Sequence, residues 1–134
     1  MPIEWLNVNF LAVLVAALSS FLLGGLWYSR VLFGVTWSRE AGVSADKQGH
    51  KPMVFVTSYL FAFLAAWLFA ALLPAEFTAV QATLLGALIG MAWVATSFGI
   101  NYGFGDRSLT LWLIDAGYHT LQFTLFGAII GMWR

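Results

Sequence analysis

Leu109-Thr-Leu-Trp-Leu-Ile-Asp-Ala-Gly-Tyr-His-Thr-Leu-Gln-Phe-Thr-Leu-Phe-Gly-Ala-Ile-Ile-Gly-Met-Trp133 runs for 25 residues with no proline and one charge, Asp115. A helix needs roughly 20 residues to cross a hydrocarbon layer, whereas a membrane β-strand needs about ten of alternating polarity. The stretch is too long and too evenly apolar for a strand, so it is predicted to be a transmembrane helix. Three more stretches read the same way, from about Trp5 to Trp27, Met53 to Leu73 and Thr78 to Ile100. Pro52 suits the first turn of the second stretch, and Pro74 stops it. The expected fold is all-α, with four transmembrane helices bundled in a single domain over residues 1–134.

Composition agrees with that solvent. Of 134 residues, 61% are hydrophobic and 9% charged, against about 45–50% and about 25% in soluble domains. Twelve charged residues are too few to clothe a water-exposed surface at this length. A net charge of zero and the absence of a basic run exclude an electrostatic footprint for nucleic acid. With no cysteine, disulfides, thiolate metal sites and cysteine nucleophiles are excluded. The first stretch lacks the basic leader of a signal peptide and is too long for its apolar segment.

The loops carry an orientation. Arg30, Arg39, Lys47, Lys51 and Arg107 fall in the first and third loops, and only Arg134 lies on the opposite side. The positive-inside rule therefore predicts both termini on the non-cytoplasmic face of a bacterial inner membrane. Trp5 and Trp133 would mark the outer interface, and Trp27, Tyr28, Tyr102 and Trp112 the inner one. Between the first two spans, Tyr28 to Trp37 suits either a short helix lying in the headgroup layer or an ordinary juxtamembrane loop.

Two segments carry a resemblance. Asn9-Phe-Leu-Ala-Val-Leu-Val-Ala-Ala17, Gly24-Gly-Leu-Trp-Tyr-Ser29, Leu32-Phe-Gly34 and Trp37 resemble the first half of domain-of-unknown-function family 1761, a family of small bacterial membrane proteins. Leu113-Ile-Asp-Ala-Gly-Tyr-His119 and Gly127-Ala-Ile-Ile-Gly-Met-Trp-Arg134 look like its ending. Phe10 stands where a Trp is common in the family, and Arg30 where a Pro is common. The resemblance implies a four-helix membrane domain and supplies no activity.

Each span carries small residues at spacings of three and four, which share one helix face. The faces hold Asn9, Ala12, Ala16, Ser20 and Gly24; Ser58, Ala62, Ala66 and Ala70; Thr83, Gly86, Gly90, Ser97 and Asn101; and Gly117, Thr120, Thr124, Gly127 and Gly131. In lipid, close approach and interhelical hydrogen bonds hold helices together, so Gly86, Gly90, Gly127 and Gly131 are the expected packing positions. Glycine is also simply common in membrane helices, and one GxxxG alone would mean little.

The fourth span has a second face, formed by Trp112, Asp115, His119, Gln122 and Phe126, roughly 150° from its glycine stripe. Neither face suits lipid tails. Unless this helix is central, one of them must meet a second copy or another subunit, which is the argument for a homo-oligomer or a larger membrane complex.

Asp115 is the costliest residue, since an acid at the centre of a span costs about 2.5–3.5 kcal/mol. A polar layer at its level would comprise Ser19, Ser20, Ser58, Tyr59, Thr96 and Ser97. The candidate intramembrane site is therefore Asp115, His119, Gln122, Ser97 and Tyr59. Asp115 and His119, one turn apart, could form a proton-sensitive pair. The plainer alternative is a structural carboxylate near a helix start, bonded to a hydroxyl or reached by Arg107 or Arg30.

Other chemistry is thin. Gly99-Ile-Asn-Tyr-Gly-Phe-Gly105 has no P-loop lysine, His50 and His119 cannot complete a zinc site, and no lysine lies within a span. No catalytic residues, metal or cofactor are expected, and an enzyme is the weakest class. The sequence favours an interaction or accessory subunit. The alternative is a small transporter or channel component whose path Asp115, His119 and Gln122 would line.

Overall fold

The computed structural model describes residues 3–43 and 50–134. Part of the polar stretch after Ser38, including Lys47, lies outside the described residues. Among those described the chain is all-helical. Six α-helices occur in the order α1 (Phe10–Trp27), α2 (Gly34–Ala41), α3 (Pro52–Leu72), α4 (Ala79–Ile89), α5 (Ala95–Phe104) and α6 (Leu109–Met132). A π-turn, Gly90–Val94, joins α4 to α5, so the two run on as one 26-residue helix.

Local chemistry sets the helix ends. Asn9 caps α1, its side-chain oxygen accepting from the Ala12 N–H at 3.1 Å. The first helix therefore begins at Phe10, and Trp5 to Val8 lie before it rather than in it. Thr78 and Gln81 form a reciprocal capping box on α4, and Ser108 caps α6 through the Leu111 N–H. Pro52 occupies the first turn of α3. The third apolar stretch continues past Ile100 to Phe104, four residues beyond its expected end.

Three helices, Phe10–Trp27, Pro52–Leu72 and Ala79–Phe104, are long and apolar enough to cross a membrane. Their outer faces are as apolar as lipid contact requires: Leu22, Phe61, Leu84 and Trp93 are all exposed. At 24 residues, α6 is as long as these, but Asp115, Tyr118, His119 and Gln122 make it more polar. It is also the central element, touching every other helix and the π-turn. Both of its non-lipid faces are therefore covered inside one chain, and the premise from which an oligomer was expected is met by the fold itself.

The glycine face of α6 lies against α4. A Cβ on Gly86 would run into the carbonyl of Phe123, one on Gly90 would sit 2.6 Å from the Thr120 Cα, and one on Gly127 would strike the carbonyl of Ala82. Gly131 faces Ala79 and Ala82 in the same seam. The four glycines thus set a backbone-to-backbone approach that no larger residue permits. Beside this seam, Ala12, Val13, Ala16, Ala66, Phe69, Phe126 and Ile130 form the apolar core between α1, α3 and α6.

Candidate functional site

The polar half of α6 is held by aromatic residues from three other elements. After Trp27 the chain turns sharply, with the Phe33 N–H donating to the Trp27 carbonyl at 3.0 Å and the Gly34 N–H to the Ser29 carbonyl at 2.9 Å. A Cβ at Gly34 would collide with the Tyr28 carbonyl, so glycine is required there. The turn brings α2 onto α6 as a genuine short helix, ended by Gly42 at φ 70°. A short helix is thus present in this segment, but it spans Gly34–Ala41, and Tyr28 to Phe33 form the turn before it.

The result is a cage around Asp115, which is 7% exposed. One carboxylate oxygen accepts from the Tyr28 hydroxyl at 2.6 Å and the Trp37 indole N–H at 3.0 Å; the other accepts from the Tyr102 hydroxyl at 2.7 Å. Burial first, and the hydrogen bond to Asp115 second, push the Tyr28 phenol well above its ordinary value, so it stays a donor. Neither Arg30 nor Arg107 reaches the carboxylate, because the one ion pair among the described residues joins Arg39 to Glu40. Asp115 also lies in the second turn of α6, past the reach of the helix N-terminus. Of the structural alternatives, bonding to a neighbouring hydroxyl is the one realised.

A second network lies one turn deeper. The amide nitrogen of Gln122 donates to the Ser20 hydroxyl at 3.0 Å, and its oxygen faces His119 Nδ1 at 2.9 Å, which therefore carries a hydrogen. The His119 ring stacks on Phe98, centroids 4.9 Å apart. Tyr118 donates to the Ser20 carbonyl at 3.0 Å. Asp115 and His119 share a face as expected, but each is bonded to other partners rather than to its neighbour.

Two expected site residues lie elsewhere. Ser97 is exposed and donates to the Trp93 carbonyl of its own helix at 2.7 Å. Tyr59 packs on Phe21 and bonds the Leu14 carbonyl across the α1–α3 contact. The reason for the first miss is the π-turn: an extra residue turns everything after it by about 100° relative to a regular helix. Phe98, Gly99 and Tyr102 face α6 in place of Ser97 and Asn101. Thr96 likewise returns to the Ala92 carbonyl, and Ser19 to that of Ala16. Trp112, expected at the interface, lies over Gly99 and donates to the Ala95 carbonyl at 2.8 Å.

Tyr28 and Tyr102, which sequence reasoning placed at the inner interface, and Trp37, from the segment it left as helix or loop, are the residues that satisfy the acid. An available signal was their chemistry: each pairs an aromatic body with a polar donor, close to the level of the lone carboxylate.

A cleft of about 510 Å³ opens between α1, α2 and α3, with Tyr118 and Gln122 of α6 at its back. A second, of about 730 Å³, lies at the opposite end near Glu4, Asn9, Glu76 and Arg134, where the Arg134 guanidinium donates to the carbonyls of Leu73, Pro74 and Ala75.

The two segments that carried the resemblance meet in this site. Trp27 donates to the Ile114 carbonyl at 2.9 Å, Gly117 leaves room for the Trp27 ring, and Gly24 lies against Tyr118. No curated protein and no solved structure matches the chain. A family model described as protein of unknown function (DUF1761) matches residues 11–131, from the first turn of α1 almost to the end of α6, and the chain belongs to that family.

Proposed function

We propose that the chain is a small four-span protein of the bacterial inner membrane, with α6 as the fourth span and both termini on the non-cytoplasmic side. It acts as a self-associating or accessory subunit, without catalytic chemistry of its own. The orientation rests on the division of the six cations, five of them in the first and third loops of the sequence. Its exposed apolar exterior supports lipid and neighbouring membrane subunits as its partners.

One observation carries the choice of accessory subunit over transporter. The Asp115 carboxylate accepts three hydrogen bonds from three elements, and among the described residues no buried side-chain polar atom lacks a partner. A buried acid whose partners are all fixed within the chain fastens helices; a proton path through it needs partners free to exchange with water.

The test measures thermal unfolding and pH-gradient-driven flux on the same proteoliposomes for wild type, Asp115→Asn and Asp115→Ala. Asn keeps an oxygen for Tyr28 and Trp37, and its amide can donate to Tyr102, so about 1 kcal/mol is lost. Ala orphans three donors and loses about 3 kcal/mol. Wild type shows no flux above empty liposomes. Flux that Asp115→Asn abolishes without loss of stability overturns the accessory reading in favour of transport.

A further inference from the structure

We infer that the cleft between α1, α2 and α3 is a binding site for a neutral, flat-ringed membrane amphiphile of the quinone class. At about 510 Å³ it matches the size of small-molecule sites and accommodates a ring with the start of an apolar tail. Among the described residues its lining contains no Asp, Glu, Lys or Arg. A charged headgroup would enter a low-dielectric pocket with no counter-charge, so the occupant is uncharged.

Polar groups sit at the two ends of the cleft. At the back, Ser20 is 2% exposed; its hydroxyl accepts from Gln122 and donates to no other side chain or carbonyl among the described residues. Gln122 uses one of its two amide hydrogens on Ser20. At the opposite end, Ser38 and His50 line the cleft, each with a side chain that can donate a hydrogen bond. These groups offer donors at both ends to a molecule with an acceptor at each end, as a ring with opposed carbonyl oxygens has.

Between the ends the walls are aromatic, formed by Phe21, Tyr28, Trp37, Phe55 and Tyr118. Such walls favour a flat ring by stacking, which an acylglycerol headgroup cannot exploit. Gly24 and Gly25 thin the α1 wall, and a Cβ on Gly25 would meet nothing within 4 Å. A side chain at that position therefore extends into open space without disturbing the fold.

The inference rests on the membrane reading but not on the accessory role, and the two fail separately. Full-length protein in phosphatidylcholine nanodiscs, first shown to be helical and monodisperse, is titrated with decylubiquinone against empty nanodiscs. Wild type shows saturable binding. Gly25→Leu retains the wild-type unfolding temperature and weakens binding by about tenfold or more, because the leucine occupies the cleft. Ser20→Ala, which removes the donor at the back, weakens it by about three- to tenfold. Dioctanoyl phosphatidylglycerol and dioctanoylglycerol do not compete. Absence of saturable binding by the folded protein, binding unchanged by Gly25→Leu, or displacement by either glycerolipid at equal concentration overturns the inference.

Discussion

Up to the start of the π-turn, Gly86 of α4 and Gly90, the first residue of the turn, lie against α6 at the positions that helical spacing assigns. On the other side, α5 presents Phe98, Gly99 and Tyr102 to the same helix, one position later than that spacing calls for. The two sides also hold α6 differently. The α4 side is a seam of backbone contacts made possible by missing side chains, whereas the α5 side is a set of directed bonds from Tyr102 and Trp112. A close-packed seam tolerates no added volume, while a bonded contact tolerates volume but not a change of helix facing.

The sharpest way to break the seam is to fill it. Gly127→Leu drives a side chain into the Ala82 carbonyl and should cost about 3 kcal/mol or prevent folding, read as thermal unfolding in nanodiscs. A wild-type melting temperature would remove the packing role of that glycine.

The next largest effect tests facing alone. Deleting Ala92 restores a regular helical count and turns α5 by about 100°. Tyr102 then leaves Asp115 and Trp112 leaves Ala95, a loss of about 2–3 kcal/mol. A cysteine at Ser97, in a chain with none of its own, should react readily with a thiol reagent in the parent and slowly after the deletion. Equal reactivity in both would show that the turn does not set the facing.

The smallest effects compare the observed partner with the expected one. Tyr102→Phe removes a bond to a buried acid and should cost about 1–2 kcal/mol, whereas Ser97→Ala should stay within about 0.5 kcal/mol. Chemical unfolding of the pair would reverse the assignment if Ser97→Ala were the more damaging.

This division explains what could be read before the structure. Small residues at spacings of four name a seam wherever the helix is regular, so Gly86, Gly90, Gly127 and Gly131 were legible. The buried face of Asp115, Gln122 and Phe126 was equally plain. The centrality of α6 was not, because spacing shows that a helix has two faces and leaves open which neighbours cover them. The Asp115 donors were hidden for two reasons. Tyr102 is displaced by a turn whose hydrogen-bond spacing leaves no sequence signal, and Trp37 arrives through a chain reversal that depends on the tight approach at Gly34.

The placement of α6 has a consequence for biogenesis. It is the most polar of the long helices and follows the others in the chain, and each donor to Asp115 precedes it: Tyr28, Trp37, then Tyr102. Ser20, the partner of Gln122, also precedes it. A carboxylate that would resist entry into bare lipid thus emerges when its acceptor sites can be filled at once by residues already synthesised. Chain order supplies the receptacle before the insert, so the energetic penalty of the acid falls on a nearly finished bundle rather than on an isolated helix.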